Sequence, residues 1–129
     1  MEYELKHGQA LVIAGPQGCG KSTLARKIAK QHGERFIEAV AHQLETPQGL
    51  NDLMVSEPGT IICDGLPKSK DAQAVLKAMI AGKRVKVERK HDAPKMVNAP
   101  NFIFCIGGAD LLPPGVSGRR FRVINIGSV

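Results

Sequence analysis

The run GPQGCGKS, from Gly15 to Ser22, constrains this chain more than any other feature in it. It fits the pattern G-x-x-x-x-G-K-[ST], a glycine loop that joins a strand to a helix and wraps its amides around a phosphate. Gly15, Gly18 and Gly20 let the backbone curl so that successive N–H groups face one anion. Lys21 would reach the terminal phosphates as a point charge, and Ser22 would offer its hydroxyl to Mg2+, a cation that prefers hard oxygen ligands. Pro16, Gln17, Cys19 and Thr23 complete the loop and the first helical turn. The flanks agree with the motif. Gln9 to Gly15 (QALVIAG) reads as a short buried strand. Lys21 to His32 reads as a helix, with Leu24, Ala25, Ile28 and Ala29 on one face and Gly33 as its stop. ATP with Mg2+ is the expected cofactor pair.

The remaining chain alternates in the same way. Phe36 to Val40, Thr60 to Cys63, Asn101 to Ile106 and Phe121 to Ile126 read as strands. Thr46-Pro47 starts one helix, and Ser69 or Asp71 caps another that runs to Ala81. Arg84 to Met96 alternates apolar and charged residues and predicts a β-hairpin with Lys90, His91 and Asp92 near its tip. Strands alternating with helices predict an α/β three-layer sandwich: a central, mostly parallel sheet, helices on both faces, and the basic hairpin as an addition. At 129 residues the chain is expected to form one domain, 1–129. Ligands of such sheets sit at the carboxyl ends of the strands.

Charge is distributed unevenly. The net charge is +6, yet from Leu66 onward there are 12 basic residues against 4 acidic ones. Lys83, Arg84, Lys86, Arg89, Lys90 and Lys95 crowd the hairpin, and His91 joins them. A polyanion partner, nucleic acid by default, follows from that excess. With one Tyr and no Trp, base stacking would add little, so contacts should be to the backbone and sensitive to salt. Lys86, Arg89, Lys90 and His91 are the candidate contacts. No stretch of about 18 apolar residues occurs, and MEYELKHG lacks the apolar core of a signal peptide, so no membrane role is expected. The three cysteines show no CxxC spacing, which argues against zinc and for a reducing cytoplasm.

Asp64 ends the apolar run TIIC, where a carboxylate can hold Mg2+ opposite Ser22. Many ATPases place Glu directly after that Asp to orient the attacking water, and here the residue is Gly65. Arg119 and Arg120 precede the last strand, and one of them could stabilise charge on the transferring phosphoryl group as an arginine finger. Acting in trans, such a finger requires an oligomer. Glu38 and Glu45 could stand near the phosphates, but the sequence alone does not place them.

Taken together, these segments resemble the ATPase core of superfamily 3 helicases, the AAA+-related motors of small viruses and phages. The likeness runs from about Gln9 to Ile126 through GPQGCGKS, TIICD, the helix to Ala81, KRVKVERKHDAPKMV, NFIFCIGG and SGRRFRV. It implies ATP hydrolysis with Lys21, Asp64, Arg119 and Arg120 in catalysis, and a homo-oligomeric ring. It also implies a hairpin whose Lys90-His91 pair tracks single-stranded DNA. The chain departs from the family at Gly65 and at Gly107 or Gly108, where a sensor Asn is usual; both losses touch hydrolysis rather than binding. A second likeness is to adenylate kinases, through DGLPKSKDAQAVL, with Lys68 in place of a phosphate-gripping Arg. It implies phosphoryl transfer to a nucleoside monophosphate or another small acceptor. A nucleotide-binding module with little turnover is the third alternative.

Overall fold

Seven strands occur among the described residues: β1 (Ala10–Ala14), β2 (Phe36–Val40), β3 (Thr60–Asp64), β4 (Val85–Val87), β5 (Lys95–Val97), β6 (Asn101–Ile106) and β7 (Phe121–Asn125). Five of them form the core sheet, in the order β2-β3-β6-β1-β7. Between them run α1 (Lys21–Gln31), α2 (Pro47–Met54) and α3 (Lys70–Ile80), with a 3-10 turn at Ala41–Leu44. The computed structural model describes residues 5, 8–33, 35–108 and 120–126. The sequence predicts a mostly parallel sheet, and every pairing within this one is parallel. Parallel strands covered on both faces need continuous apolar runs, which ALVIA and TIIC supply.

The strand period sorts the core into two layers. Leu11, Ile13, Ile62, Ile103 and Cys105 face α1, whose Ala25, Ile28 and Ala29 pack on them. Val12, Ala14, Ile61, Cys63, Phe102 and Phe104 face α2 and α3, which contribute Leu53, Met54, Leu76, Met79 and Ile80. Phe104 and Phe121 meet at a centroid distance of 6.4 Å although β1 runs between their strands. The small side chain of Ala10, in register with Phe121, leaves room for that contact. Burying each such large apolar side chain contributes about 1.5–3 kcal/mol.

Local signals set the helix ends. Thr46 Oγ1 accepts the Gly49 N–H at 3.0 Å with Pro47 in the first turn, which starts α2. Ser69, rather than Asp71, caps α3: its Oγ accepts the Ala72 N–H at 3.1 Å, and Asp71 sits in the first turn. α1 closes one residue earlier than the sequence suggests, with His32 as its cap and Gly33 turning at φ +82°.

The hairpin forms but is short. β4 and β5 pair antiparallel as a separate two-stranded sheet. Val87 and Val97 turn into the α2–α3 core layer and hold the hairpin to that face. Residues 88–94 lie outside strand, because Pro94 and the charged tip end the alternation.

Candidate functional site

The glycine loop leaves β1 at its carboxyl end and enters α1 at Lys21. Gly15 is buried at the exit: its N–H donates to Ile106 O at 3.1 Å, tying the loop to β6. A Cβ on Gly15 would stand 2.5 Å from Ile126 O and 2.8 Å from Cys19 Sγ, so no other residue fits without moving backbone. Gly18 and Gly20 have open space around them and are required for conformation, at φ +85° and +92°. Gly20 is the N-cap and brings no side chain to the helix start. The first amides of α1, at Lys21, Ser22 and Thr23, therefore face outward with the positive end of the helix dipole behind them. Lys21 Nζ donates to Gly15 O at 2.6 Å, which folds the ammonium back over the loop. Pro16, Gln17, Gly18, Ser22 and Thr23 are exposed, and Cys19 is half-buried. This is a concave set of donors and one cation, suited to an anion with several oxygens.

Asp64 ends β3 at the same end of the sheet, exposed, in register with Cys105 of β6. By strand alternation it projects on the face that α1 covers, together with Ile62. β6 lies between the loop strand and the Asp64 strand, so the two strand ends are roughly 10 Å apart at about 4.8 Å per strand. The chain leaving β6 at Gly107 occupies the position between them and presents no side chain there. Burial pushes the Cys105 thiol up to about 11; the Asp64 charge adds to that rise and the Lys21 charge opposes it. Cys63, next to Asp64 in the chain, is pushed up to about 12, first by burial. Both thiols stay protonated at neutral pH.

Gly65, where an ATPase would carry its second acid, has φ +96°. A Cβ there would come within 3.2 Å of Ala41 Cβ. The backbone itself is thus shaped for glycine, and its N–H bonds Cys105 O at 2.8 Å.

Arg120 lies at the other end of the sheet. Phe121 is in register with Ala10, the first residue of β1, whereas the loop follows Ala14. Arg120 is exposed there, roughly 15 Å along the strands from its own glycine loop. Arg119 lies outside the described residues.

Two carboxylates find definite places. Glu38 on β2 takes a forked pair of hydrogen bonds from Arg26 of α1, from Nε at 3.0 Å and Nη2 at 2.9 Å. That contact holds the Glu38 carboxyl below its usual range. No spacing rule links positions on a strand and a helix, so the sequence carries no signal for it. Glu45 accepts the N–H groups of Lys68 and Ser69 at 2.9 and 3.3 Å. It thereby clamps the DGLPKS turn at the start of α3.

The hairpin cations divide by partner. Arg89 Nη2 and Lys95 Nζ both donate to Glu57 Oε2, at 2.8 and 3.0 Å. Lys86 stands 3.6 Å from Glu88. Lys90 and His91 lie at the tip, both exposed. Asn51 of α2 grips the hairpin from below, accepting the Glu88 N–H at 2.8 Å and donating to Glu88 O at 3.1 Å. Arg89, a sequence candidate for nucleic-acid contact, is thus engaged in holding the hairpin, and Lys90 and His91 follow it toward the tip.

A model of a family described as of unknown function (DUF5906) matches residues 13–120. The chain belongs to that family. This DUF5906 chain is 28% identical over 132 residues to the alpha-glucoside transport ATP-binding protein AglK of Rhizobium meliloti (strain 1021), covering 98% of this chain and 34% of that protein. It is 42% identical over 38 residues to guanylate kinase of Schizosaccharomyces pombe, covering 30% of this chain and 19% of the kinase. Among solved structures, the apo C-terminal region of NrS-1 superposes at a TM-score of 0.68 with 23% identity, covering 98% of this chain and 30% of that one. At that identity the likeness shows the fold, a P-loop NTPase-like α/β sandwich. The chain spans about a third of the length of the curated relative it matches end to end. Among the described residues, no helix is long and apolar enough to cross a membrane, and no group of three or more His, Cys, Asp or Glu could hold a metal by itself.

Proposed function

We propose that residues 1–129 form a single ATP- and Mg2+-binding domain that hydrolyses ATP and acts on single-stranded nucleic acid, as the superfamily 3 likeness implies. The observation that carries this reading is the shared placement of Lys21, Ser22 and Asp64 at one end of the sheet and on its α1 side. The loop residues Gly15 to Thr23 would cradle the phosphates with their amides, and Lys21 would leave Gly15 O to reach the terminal one. Mg2+ would take the Ser22 hydroxyl and approach Asp64 through its own waters, which suits a gap of roughly 10 Å between the strand ends. The bound cation would offset phosphate charge; this chain's part is to hold and orient. The likeness to an ATP-binding transport protein and to a guanylate kinase supports nucleotide use.

Arg120 supports an oligomer. At the far end of its own sheet it is out of reach of its own loop, so as an arginine finger it must serve a neighbour's phosphates. A ring supplies that geometry, with Arg119 as the alternative finger. Lys86, Lys90 and His91 would contact the nucleic-acid backbone, with Arg89 beside them. Unpaired Cys19, Cys63 and Cys105 suit a reducing compartment such as the cytoplasm.

The deciding experiment measures ADP and free phosphate from Mg-ATP, with and without a DNA single strand and with nucleoside monophosphates, using Lys21→Ala as blank. Phosphate release that rises with DNA and with protein concentration is expected. The kinase reading rests on the DGLPKS turn and the guanylate kinase likeness; ADP without free phosphate, formed only with a monophosphate, would replace the proposal with it. Nucleotide binding without turnover in any condition would leave a binding module, with Gly65 and the missing sensor Asn at Gly107 or Gly108 as the reason.

A further inference from the structure

We propose that Arg89 and Lys95 form a seat for one phosphodiester group of a single-stranded nucleic acid, and that Glu57 is the seat's built-in occupant. The inference rests on the reading of the hairpin as a nucleic-acid contact and adds a site and a mask to it. The geometry is unusual for a simple staple. Both cations donate to the same oxygen of Glu57, Oε2. Arg89 uses only Nη2, while its Nε is buried and has no partner among the described residues. Half of the guanidinium fork is therefore unmatched, and a single carboxylate oxygen serves two charges. A phosphodiester carries one charge on two non-bridging oxygens. Like a carboxylate, it can bridge Nη2 and the Lys95 ammonium, so it can take the place that Glu57 holds between the two cations.

The loop is built so that the carboxylate can leave. Glu57 is the one non-glycine with positive φ among the described residues, at +51°, a sparsely populated backbone state that also recurs at ligand clamps and switch regions. Its side chain is partly exposed, as are Arg89 and Lys95, and exposed ion pairs exchange partners at little cost. Glu57 also borders a cavity of about 710 Å³ with His32, Val97, Asn98 and Asn101, which gives the side chain room to withdraw. The hairpin stays in place meanwhile, because Val87, Val97 and the Asn51 clamp hold it independently.

The test is the affinity of the full chain for a labelled thymidine 20-mer across a NaCl series, for wild type, Glu57→Gln, Glu57→Gln/Arg89→Ala and Lys90→Ala. Glu57→Gln is expected to bind about three- to tenfold tighter at low salt, with a salt slope steeper by about 0.7 to 1.4 for one or two freed cations. Adding Arg89→Ala should remove the gain. Glu57→Asp, which keeps the charge but shortens the reach, should gain less and covers the case in which Gln loosens the loop. A staple without a seat gives the opposite sign: weaker binding on removal of Glu57, with the slope unchanged or shallower, and that result overturns the proposal. Lys90→Ala separates the two readings. Weaker binding by Lys90→Ala without a gain from Glu57→Gln keeps the hairpin contact and removes the seat. A gain from Glu57→Gln with Lys90→Ala silent keeps the seat and removes the tip. No binding by any of the chains removes both.

Discussion

The side chain of Asn51 is joined to the backbone of Glu88 by two hydrogen bonds, one in each direction, across 37 positions of sequence. An amide side chain thereby does for the hairpin what a neighbouring strand would do, since the hairpin joins no strand of the main sheet. Asn51→Ala should leave a backbone N–H and C=O of Glu88 without these partners, at a cost of about 1–2 kcal/mol. Thermal unfolding reads the loss, and faster hydrogen exchange at the Glu88 amide localises it. Asn51→Asp keeps the acceptor only and should fall between.

Gly15→Ala tests the loop from the side of shape rather than charge. The new methyl would meet Ile126 O at 2.5 Å, so the strand-to-loop exit must shift. Overpacking of this kind costs about 1–3 kcal/mol, and nucleotide affinity should fall with it. Gly18→Ala has open space and is strained only by its φ of +85°, so it should cost less in stability. Unfolding curves of the two variants side by side give the comparison; equal losses would mean that space at Gly15 is not the constraint.

Thiol chemistry should separate the cysteines. Cys63 and Cys105 are buried, with pKa values pushed up to about 12 and about 11. At neutral pH both are thiols, and the thiolate is the reactive species. Cys19 is partly exposed within the glycine loop. Iodoacetamide should therefore label Cys19 first, as peptide mass mapping would show, and ATP should slow that labelling if the loop binds its phosphates. Labelling of Cys63 ahead of Cys19 would contradict the placement.

The Arg26–Glu38 pair predicts a pH dependence of a definite sign. Hydrogen bonding to Arg26 lowers the folded pKa of Glu38 below its unfolded value. The group then contributes stability above about pH 4.3, and loses it as pH falls through the lower folded pKa. The melting-temperature difference between wild type and Glu38→Gln should be present at pH 7 and vanish in acid. It should also shrink in high salt, because the pair is exposed.

Much of this architecture is legible in the sequence, and the reasons are local. The glycine loop, the apolar runs ALVIA and TIIC, the Thr46-Pro47 start and the Ser69 cap each act within a few residues of themselves. What escapes the sequence is long-range. Nothing in the pattern says that β6 inserts between β1 and β3, or that Arg26 reaches Glu38. The roles of Glu45 and Glu57 are equally hidden, since each is an acid whose partners lie more than 20 positions away. The basic composition of the hairpin is readable; which of its cations are already engaged is not, because that depends on the loop that packs beneath it.

The strand order has a consequence for how the protein is made. β1 pairs with β6 and β7, whose first residues follow it by about ninety and more positions. On a ribosome adding about 5–20 residues per second, ALVIA waits several seconds or longer for either neighbour. During that interval an apolar strand with two open edges is exposed to any other chain. The same topology that puts the glycine loop in the middle of the sheet makes its strand the last to be sheltered, and the nascent protein a natural client for a chaperone.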